Sequence, residues 1–293
     1  MHKPNLFIIG AMKSGTTSLH NYLNYHPDIF MCEPKEPEYF VEELNYSKGE
    51  DWYLSQFASA GRAKYIGESS TGYTKLPVYK GVPEKIKAFN PDAKFIYIMR
   101  DPIERIISHY WYSVSTTAMN YDGYSKLETR DMVTAVAEDP EYIPYSDYAT
   151  QLSPYLNEFG SESIYALTFE DLVDNMEKEV GGIFKWLGLD VLDKFPSEHG
   201  VWNKTPSTIQ RFKGKGGLQR FRSSGLWSLM SPLIPDSIKQ SIKSSIAENV
   251  EKETPRELLK YLRPIILPKI ESLENMLQRD FNQWKVSCDD QDS

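Results

Sequence analysis

The stretch Asn5-Leu6-Phe7-Ile8-Ile9-Gly10-Ala11-Met12-Lys13-Ser14-Gly15-Thr16-Thr17-Ser18-Leu19 constrains this chain more than any other. Its apolar run, Leu6 to Ile9, breaks at Gly10 and predicts a buried parallel strand. A short loop bounded by Gly10 and Gly15 follows, and Leu19, Tyr22 and Leu23 then recur at the spacing of one helical face. Strand, glycine loop and helix amino terminus together form an anion cradle, because the N–H groups of the first turn and the positive end of the helix dipole face the loop. Glycine lets backbone approach a phosphate, Lys13 adds a full positive charge, and Ser14, Thr16 and Thr17 offer hydroxyl donors. The competing reading is a Gly/Ser turn that only joins a strand to a helix. The loop also departs from G-x-x-x-x-G-K-[ST], in which lysine follows the second glycine. Here Lys13 precedes Gly15, and Thr16 follows it.

A chain of 293 residues allows one large α/β domain or two small ones. We expect a single domain over 1–293, with a central parallel sheet flanked by helices and a P-loop-like cradle. Its motifs lie in 5–217, and 225–293 forms a C-terminal helical extension or lid. The net charge of −8 argues against a general nucleic-acid binder while leaving room for a local basic pocket. Cys32 and Cys288 are too few and too distant for a disulfide framework or a zinc site, which points to a reduced, cytoplasmic setting. The amino terminus runs directly into the first strand, and no run approaches the roughly 18 apolar residues of a membrane span.

Further along, Pro34 and Pro37 flank Lys35 and Glu36, a stiff loop able to hold a lysine over a site. A helix is expected over 50–60. Tyr65-Ile66 reads as a short strand ending at Gly67, which puts Glu68 at a strand's carboxyl end, where open α/β sheets bind ligands. A helix cap or surface charge would explain Glu68 equally well by position alone. Residues 83–89 read as a helix, and Lys94 to Met99 as a strand that exits into Arg100-Asp101-Pro102, with Asp101 capping the next helix. Arg100 and Ser108 could meet one phosphate, although an Arg100–Glu104 or Arg100–Asp101 ion pair is the plainer alternative.

Residues 119–145 read as a polar excursion with one helix near 128–138, followed by a helix from Tyr145 to Phe159. Ser163 to Phe169 forms a strand and Glu170 to Leu187 a helix, an alternation that predicts parallel pairing. Lys204, Arg211, Lys213, Lys215, Arg220 and Arg222 make a basic patch around Phe212-Lys213-Gly214-Lys215-Gly216, suited to a second phosphate or to a plain surface loop. Residues 225–247 match no pattern, and Pro255 to Trp284 is amphipathic and helical, with expected interruptions at Pro264 and Pro268.

Three anion-directed elements imply a ligand with two separated phosphates, and here the chain resembles the sulfotransferases that use 3′-phosphoadenosine-5′-phosphosulfate, especially the heparan-sulfate-type and bacterial ones. Ile9 to Leu19 resembles their 5′-phosphosulfate loop, and Ile98-Met99-Arg100-Asp101-Pro102-Ile103-Glu104-Arg105-Ile106-Ile107-Ser108 their 3′-phosphate motif. Lys35-Glu36-Pro37, Phe169-Glu170-Asp171-Leu172 and Leu187-Gly188-Leu189 are further family-like signatures. The resemblance implies that Lys13, Ser14, Gly15, Thr16, Thr17 and Ser18 hold the 5′-phosphate. It assigns Arg100 and Ser108 to the 3′-phosphate, and Phe212, Lys213, Gly214, Lys215 and Gly216 to a closing loop. Gly67 to Tyr73 resembles the segment carrying the base, which selects Glu68 as base, with Lys13 and Lys35 assisting; Ser69 and Thr71 depart from that family pattern.

The implied reaction is in-line sulfuryl transfer to an acceptor hydroxyl, or less readily an amine, with 3′-phosphoadenosine-5′-phosphate as product and no metal. The acceptor class stays open among small molecules, lipids, saccharides and carrier-tethered metabolites. Two rivals remain, a P-loop kinase or NTPase and a catalytically silent nucleotide-binding scaffold. Oligomeric state leaves no mark in the sequence.

Overall fold

The computed structural model describes residues 3–115, 128–192, 195, 208–212 and 247–289. By its contacts the chain divides into two compact units, one of Met1–Ile106, Pro140–Lys204 and Leu259–Ser293, the other of Ile107–Asp139 and Thr205–Leu258.

The first unit is built on five strands: β1 (Leu6–Gly10), β2 (Ile29–Met31), β3 (Tyr65–Ser69), β4 (Lys94–Met99) and β5 (Ile164–Thr168). Their order is β2-β3-β1-β4-β5, and every neighbouring pair is parallel. The α/β class follows as the alternation predicts. The chain steps outward from β1 to β2, returns to β3, and crosses to β4 on the opposite side. Such a reversal opens a crevice beyond the carboxyl end of the central strand, beside β1.

Alternation along the strands divides the core. Leu6, Ile8, Ile96 and Ile98 pack with Leu19 and Leu23 of α1 (Thr16–Leu23) on one face. Phe7 and Phe95 face the other way into an aromatic layer, in which Phe7 lies 6.1 Å from Phe40 and 5.7 Å from Phe95 between ring centroids. Tyr53 of α2 (Glu50–Ser55) joins this layer at 5.3 Å from Phe40. Glu68 pairs in register with Phe7, so sheet geometry turns its carboxyl toward the aromatic side.

Next come α3 (Val82–Phe89) and α4 (Pro102–Val114), the latter capped by Asp101, whose Oδ1 accepts the Ile103 and Glu104 N–H groups at 2.8 and 3.2 Å. In the second unit, Asp131 caps α5 (Met132–Glu138) through the Thr134 N–H at 2.9 Å. Returning to the first unit, α6 (Tyr148–Phe159) begins behind a 3-10 turn at Pro144–Ser146. The single helix expected from Glu170 to Leu187 is instead α7 (Phe169–Asp174) and α8 (Met176–Trp186), broken at Asn175. Asn and Asp side chains compete with the helical ladder for backbone partners, and the break falls where two of them adjoin.

The second unit also contains the antiparallel pair β6 (Thr208–Phe212) and β7 (Ala247–Glu251). The carboxyl-terminal helices are α9 (Arg256–Leu277) and α10 (Asn282–Asp289). Contrary to expectation, α9 runs unbroken through Pro264 and Pro268. Both prolines are exposed, whereas Leu262, Ile266, Ile270 and Leu273 form a stripe at most 1% exposed. Burying that stripe outweighs the ladder bonds lost on the solvent side. Among the described residues no helix is long and apolar enough to cross a membrane.

Candidate active site

Adjacent strands β3, β1 and β4 bring the acidic and anion-directed segments to one end of the sheet. Just past β1, the Ala11 N–H bonds Ile98 O of β4 at 2.7 Å, and just past β3 the Ser70 N–H bonds Ile8 O of β1 at 3.1 Å. The loop after Gly10, the segment from Glu68 and Arg100 therefore emerge side by side.

In the loop, Lys13 (φ 70°) and Gly15 (φ 91°) both take left-handed backbone. For lysine that conformation costs about 1 kcal/mol, so the surrounding fold must hold it there. Gly15 is the N-cap of α1 and supplies no side-chain cap, which leaves the helix start for a ligand to satisfy. Glycine is also sterically required, since a Cβ would fall 2.7 Å from Phe169 Cδ2. Thr16, Thr17 and Ser18 form the first turn. Ser14 is fully buried, and its Oγ has no hydrogen-bond partner among the described residues.

Ser108, in α4, is likewise buried with an unpartnered Oγ among the described residues. A buried hydroxyl left unmatched costs roughly 1–3 kcal/mol, which an anion at each motif would relieve. Each orphaned hydroxyl, Ser14 in the first unit and Ser108 in the second, fits an anion taken by itself. The Arg100 guanidinium lies 5.2 Å from the Phe169 ring centroid and pairs with Glu104 at 3.1 Å. That ion pair is the plainer alternative raised above. Because Glu104 is largely exposed, the pair is weak enough for a phosphate to displace. Phe169 thus touches both the loop glycine and the arginine.

Phe212 ends β6, while Lys213, Gly214, Lys215 and Gly216 lie outside the described residues, as do 225–246.

The acidic side of the site holds three glutamates. Glu68 is 0% exposed. Its Oε1 accepts the Tyr53 and Tyr73 hydroxyls at 2.5 and 2.7 Å, and its Oε2 accepts Ser70 Oγ–H. Burial raises its pKa from 4.5 to about 7, against the pull of the Ser70, Tyr53 and Tyr73 hydroxyls and of Lys35. Glu36 sits on the Pro-flanked loop at φ 65°, with its N–H on Ser69 O at 3.0 Å. Its side chain is 18% exposed, and Oε1 accepts from Lys35 Nζ at 2.5 Å and Thr71 Oγ1 at 3.4 Å.

Glu38 (φ 48°) is buried and also raised to about 7 by burial. Its N–H bonds Ser70 Oγ at 3.0 Å, and its Oε1 accepts the Gly72 N–H at 2.9 Å. Ser70 therefore passes one hydroxyl bond to Glu68 while holding the loop that carries Glu36. His20 of α1 is buried, bonded through Nδ1 to Ser69 Oγ at 2.8 Å, and lowered to about 4 by burial and by Lys35, so it is neutral at pH 7. His26 is a turn residue: its Nδ1 accepts the Asp28 N–H at 3.1 Å.

The structure thus gathers Lys35 and Glu68 near one another, but buries Glu68 fully and leaves Glu36 partly exposed. The sequence reading gave Glu36 no role. The available signal was that two prolines fix a glutamate as firmly as they fix its lysine neighbour.

Residues 3–204 match the family model described as Sulfotransferase domain. The chain is 27% identical over 279 residues to heparan sulfate glucosamine 3-O-sulfotransferase 3B1 of Mus musculus, covering 95% of this chain and 64% of that protein. It is 29% identical over 216 residues to heparan sulfate glucosamine 3-O-sulfotransferase 6 of Homo sapiens, covering 73% and 60%. The chain therefore spans less than two thirds of these relatives' length. A sulfotransferase from Alicyclobacillus acidocaldarius shares the fold, with a TM-score of 0.67 over 97% of this chain and 100% of the other at 22% identity.

Proposed function

The chain belongs to the sulfotransferase domain family, and from that membership we propose that it moves the sulfuryl group of 3′-phosphoadenosine-5′-phosphosulfate to an acceptor hydroxyl. One observation carries this above all: an uncapped helix start with an orphaned Ser14 hydroxyl lies after β1, and Arg100 lies after the neighbouring β4. When bound, the donor supplies a sulfuryl group already attached to a phosphate leaving group. Lys13, Ser14, Gly15, Thr16, Thr17 and Ser18 hold the 5′ end. Lys13 offsets negative charge there, an electrostatic effect of about 3 kcal/mol. Arg100 holds the 3′-phosphate, and Ser108 and the segment from Phe212 to Gly216 keep the roles implied by their motifs.

We assign the acceptor's proton to Glu36 rather than Glu68. A general base must come within hydrogen-bond reach of the hydroxyl it serves. Glu68 is fully buried, whereas the Glu36 side chain is 18% exposed and is backed by Lys35. Glu68 then serves as a positioning residue, acting through Ser70 on the loop that presents Glu36. Lys35 steadies the transferring group's oxygens.

Kinase chemistry is not favoured, because Lys13 lies before Gly15. Saccharide hydroxyls come first among acceptors, since the relatives above are named for heparan sulfate; lipid, small-molecule and carrier-tethered hydroxyls follow. The cytoplasm is part of the same proposal, from the scarcity of cysteine and the free, buried Cys32.

The test is transfer of labelled sulfuryl to these acceptor classes without added metal. Glu36→Gln should lower turnover about 10²–10⁴-fold with donor-product affinity nearly unchanged. Glu68→Gln should lower it less. If Glu36→Gln is fully active and Glu68→Gln inactive, the base is Glu68; if no acceptor class takes the label, the silent-scaffold alternative stands.

A further inference from the structure

The corner formed by Arg100 and Asp101 is clasped from two sides. Tyr148, 1% exposed at the start of α6, donates its hydroxyl proton to Arg100 O at 2.6 Å, and the Tyr148 hydroxyl oxygen accepts the Arg100 N–H at 3.3 Å. Glu170 of α7 accepts the Asp101 N–H through Oε1 at 2.9 Å. Trp284 of α10 touches both clasps. Its ring lies 6.0 Å from that of Tyr148, and although burial raises the Glu170 pKa overall, the Trp284 side chain sits near enough to that carboxyl to pull it down in part. Trp284 is 1% exposed and stacks on Phe281 at 4.4 Å.

Ion pairs fasten the helices that carry these rings to the same neighbourhood. Lys269 of α9 pairs with Asp147, the N-cap of α6, and Arg279 pairs with Asp171 of α7 at 2.6 Å. Lys285 of α10 closes onto Glu274 of α9 at 2.6 Å. All of this carboxyl-terminal structure lies beyond residues 3–204, the span of the family match.

We propose that Trp284, set outside the family-matched span, is a positioning residue for the donor's 3′-phosphate, holding the Arg100–Asp101 corner through Tyr148 and Glu170. A fixed backbone at the base of an arginine reduces what must be ordered when its guanidinium grips a phosphate, which favours affinity. Tyr148 fixes the backbone on both sides of the Arg100 α-carbon, and Glu170 fixes the next amide. This inference rests on assigning Arg100 to the 3′-phosphate, and the test separates the two.

Calorimetric titration with 3′-phosphoadenosine-5′-phosphate and with adenosine-5′-phosphate, which lacks the 3′-phosphate, would be run on Arg100→Ala, Tyr148→Phe, Trp284→Phe and Trp284→Leu. In the Tyr148 and Trp284 variants, losing one such hold is expected to weaken the first ligand about three- to tenfold while leaving the second within about twofold. Trp284→Phe, which keeps a ring against Tyr148, should fall between wild type and Trp284→Leu. Should the leucine variant not fold, Trp284→Phe and Tyr148→Phe decide, since both retain an aromatic ring. Equal loss for both ligands, or no loss in the Trp284 variants while Arg100→Ala is weakened, overturns the inference. No loss in Arg100→Ala overturns the assignment beneath it.

Discussion

Burial alone lifts the Glu68 carboxyl from 4.5 to about 7, even with three hydroxyls donating to it. Between those values the folded protein binds more protons than the unfolded chain, so stability falls as pH rises from 4.5 to about 7 and is flat beyond. Glu68→Gln removes that titration. Relative to wild type, the variant should gain on the order of 1–3 kcal/mol between pH 4.5 and pH 8, read by chemical denaturation at both values. A difference that does not change with pH would contradict a buried, titrating Glu68. Wild type and variant alike keep the parallel slope of Glu38, which burial also raises to about 7. The contrast between Glu68 and Glu36 was not legible in the chain. Both are glutamates beside turn residues, and only the pairing of Glu68 with Phe7 puts one into an aromatic layer. The positions of Lys13 and Ser14 just past β1, and of Arg100 just past β4, were legible, because strand-loop-helix junctions are marked locally.

At the scale of elements, the stretch from Cys32 to Glu38 is held against β3 and the Ser70 that follows it by a ladder of unlike bonds. Cys32 N–H bonds Gly67 O at 2.9 Å, Glu36 N–H bonds Ser69 O at 3.0 Å, and Glu38 N–H bonds Ser70 Oγ at 3.0 Å. These bonds sustain left-handed backbone at Glu36 and Glu38, each costing roughly 1 kcal/mol. Gly72 is the weak point of the arrangement, since a Cβ there would lie 2.2 Å from Glu38 Oε2. Gly72→Ala should therefore cost about 1–3 kcal/mol of stability and reduce turnover, while donor-product affinity stays within about twofold. Affinity lost in proportion to turnover would show that this loop belongs to the donor grip instead. Sequence patterns located β4, α3 and β5 closely, since continuous apolar runs and proline or asparagine stops mark them. They failed at Pro264 and Pro268, where local preference and the buried stripe of α9 disagree and packing decides.

For the whole molecule, the order β2-β3-β1-β4-β5 matters more than any one motif. Alternating strands and helices announced a parallel sheet, but not which strands flank β1, because that depends on crossovers between distant segments. Placing β3 and β4 on either side of β1 brings an acidic segment and an arginine to the two flanks of one glycine loop. A ligand bridging these parts should stabilise the folded state by about 3 kcal/mol at a hundred times its Kd, a shift visible in thermal unfolding. The central claim is that two separated phosphates of one adenosine ligand are gripped at once, and the direct measurement is the ratio of affinities for 3′-phosphoadenosine-5′-phosphate and adenosine-5′-phosphate. The account predicts a ratio of about a hundredfold or more in wild type, collapsing in Arg100→Ala. Equal affinities in wild type, or a preference for ATP with magnesium, would contradict it.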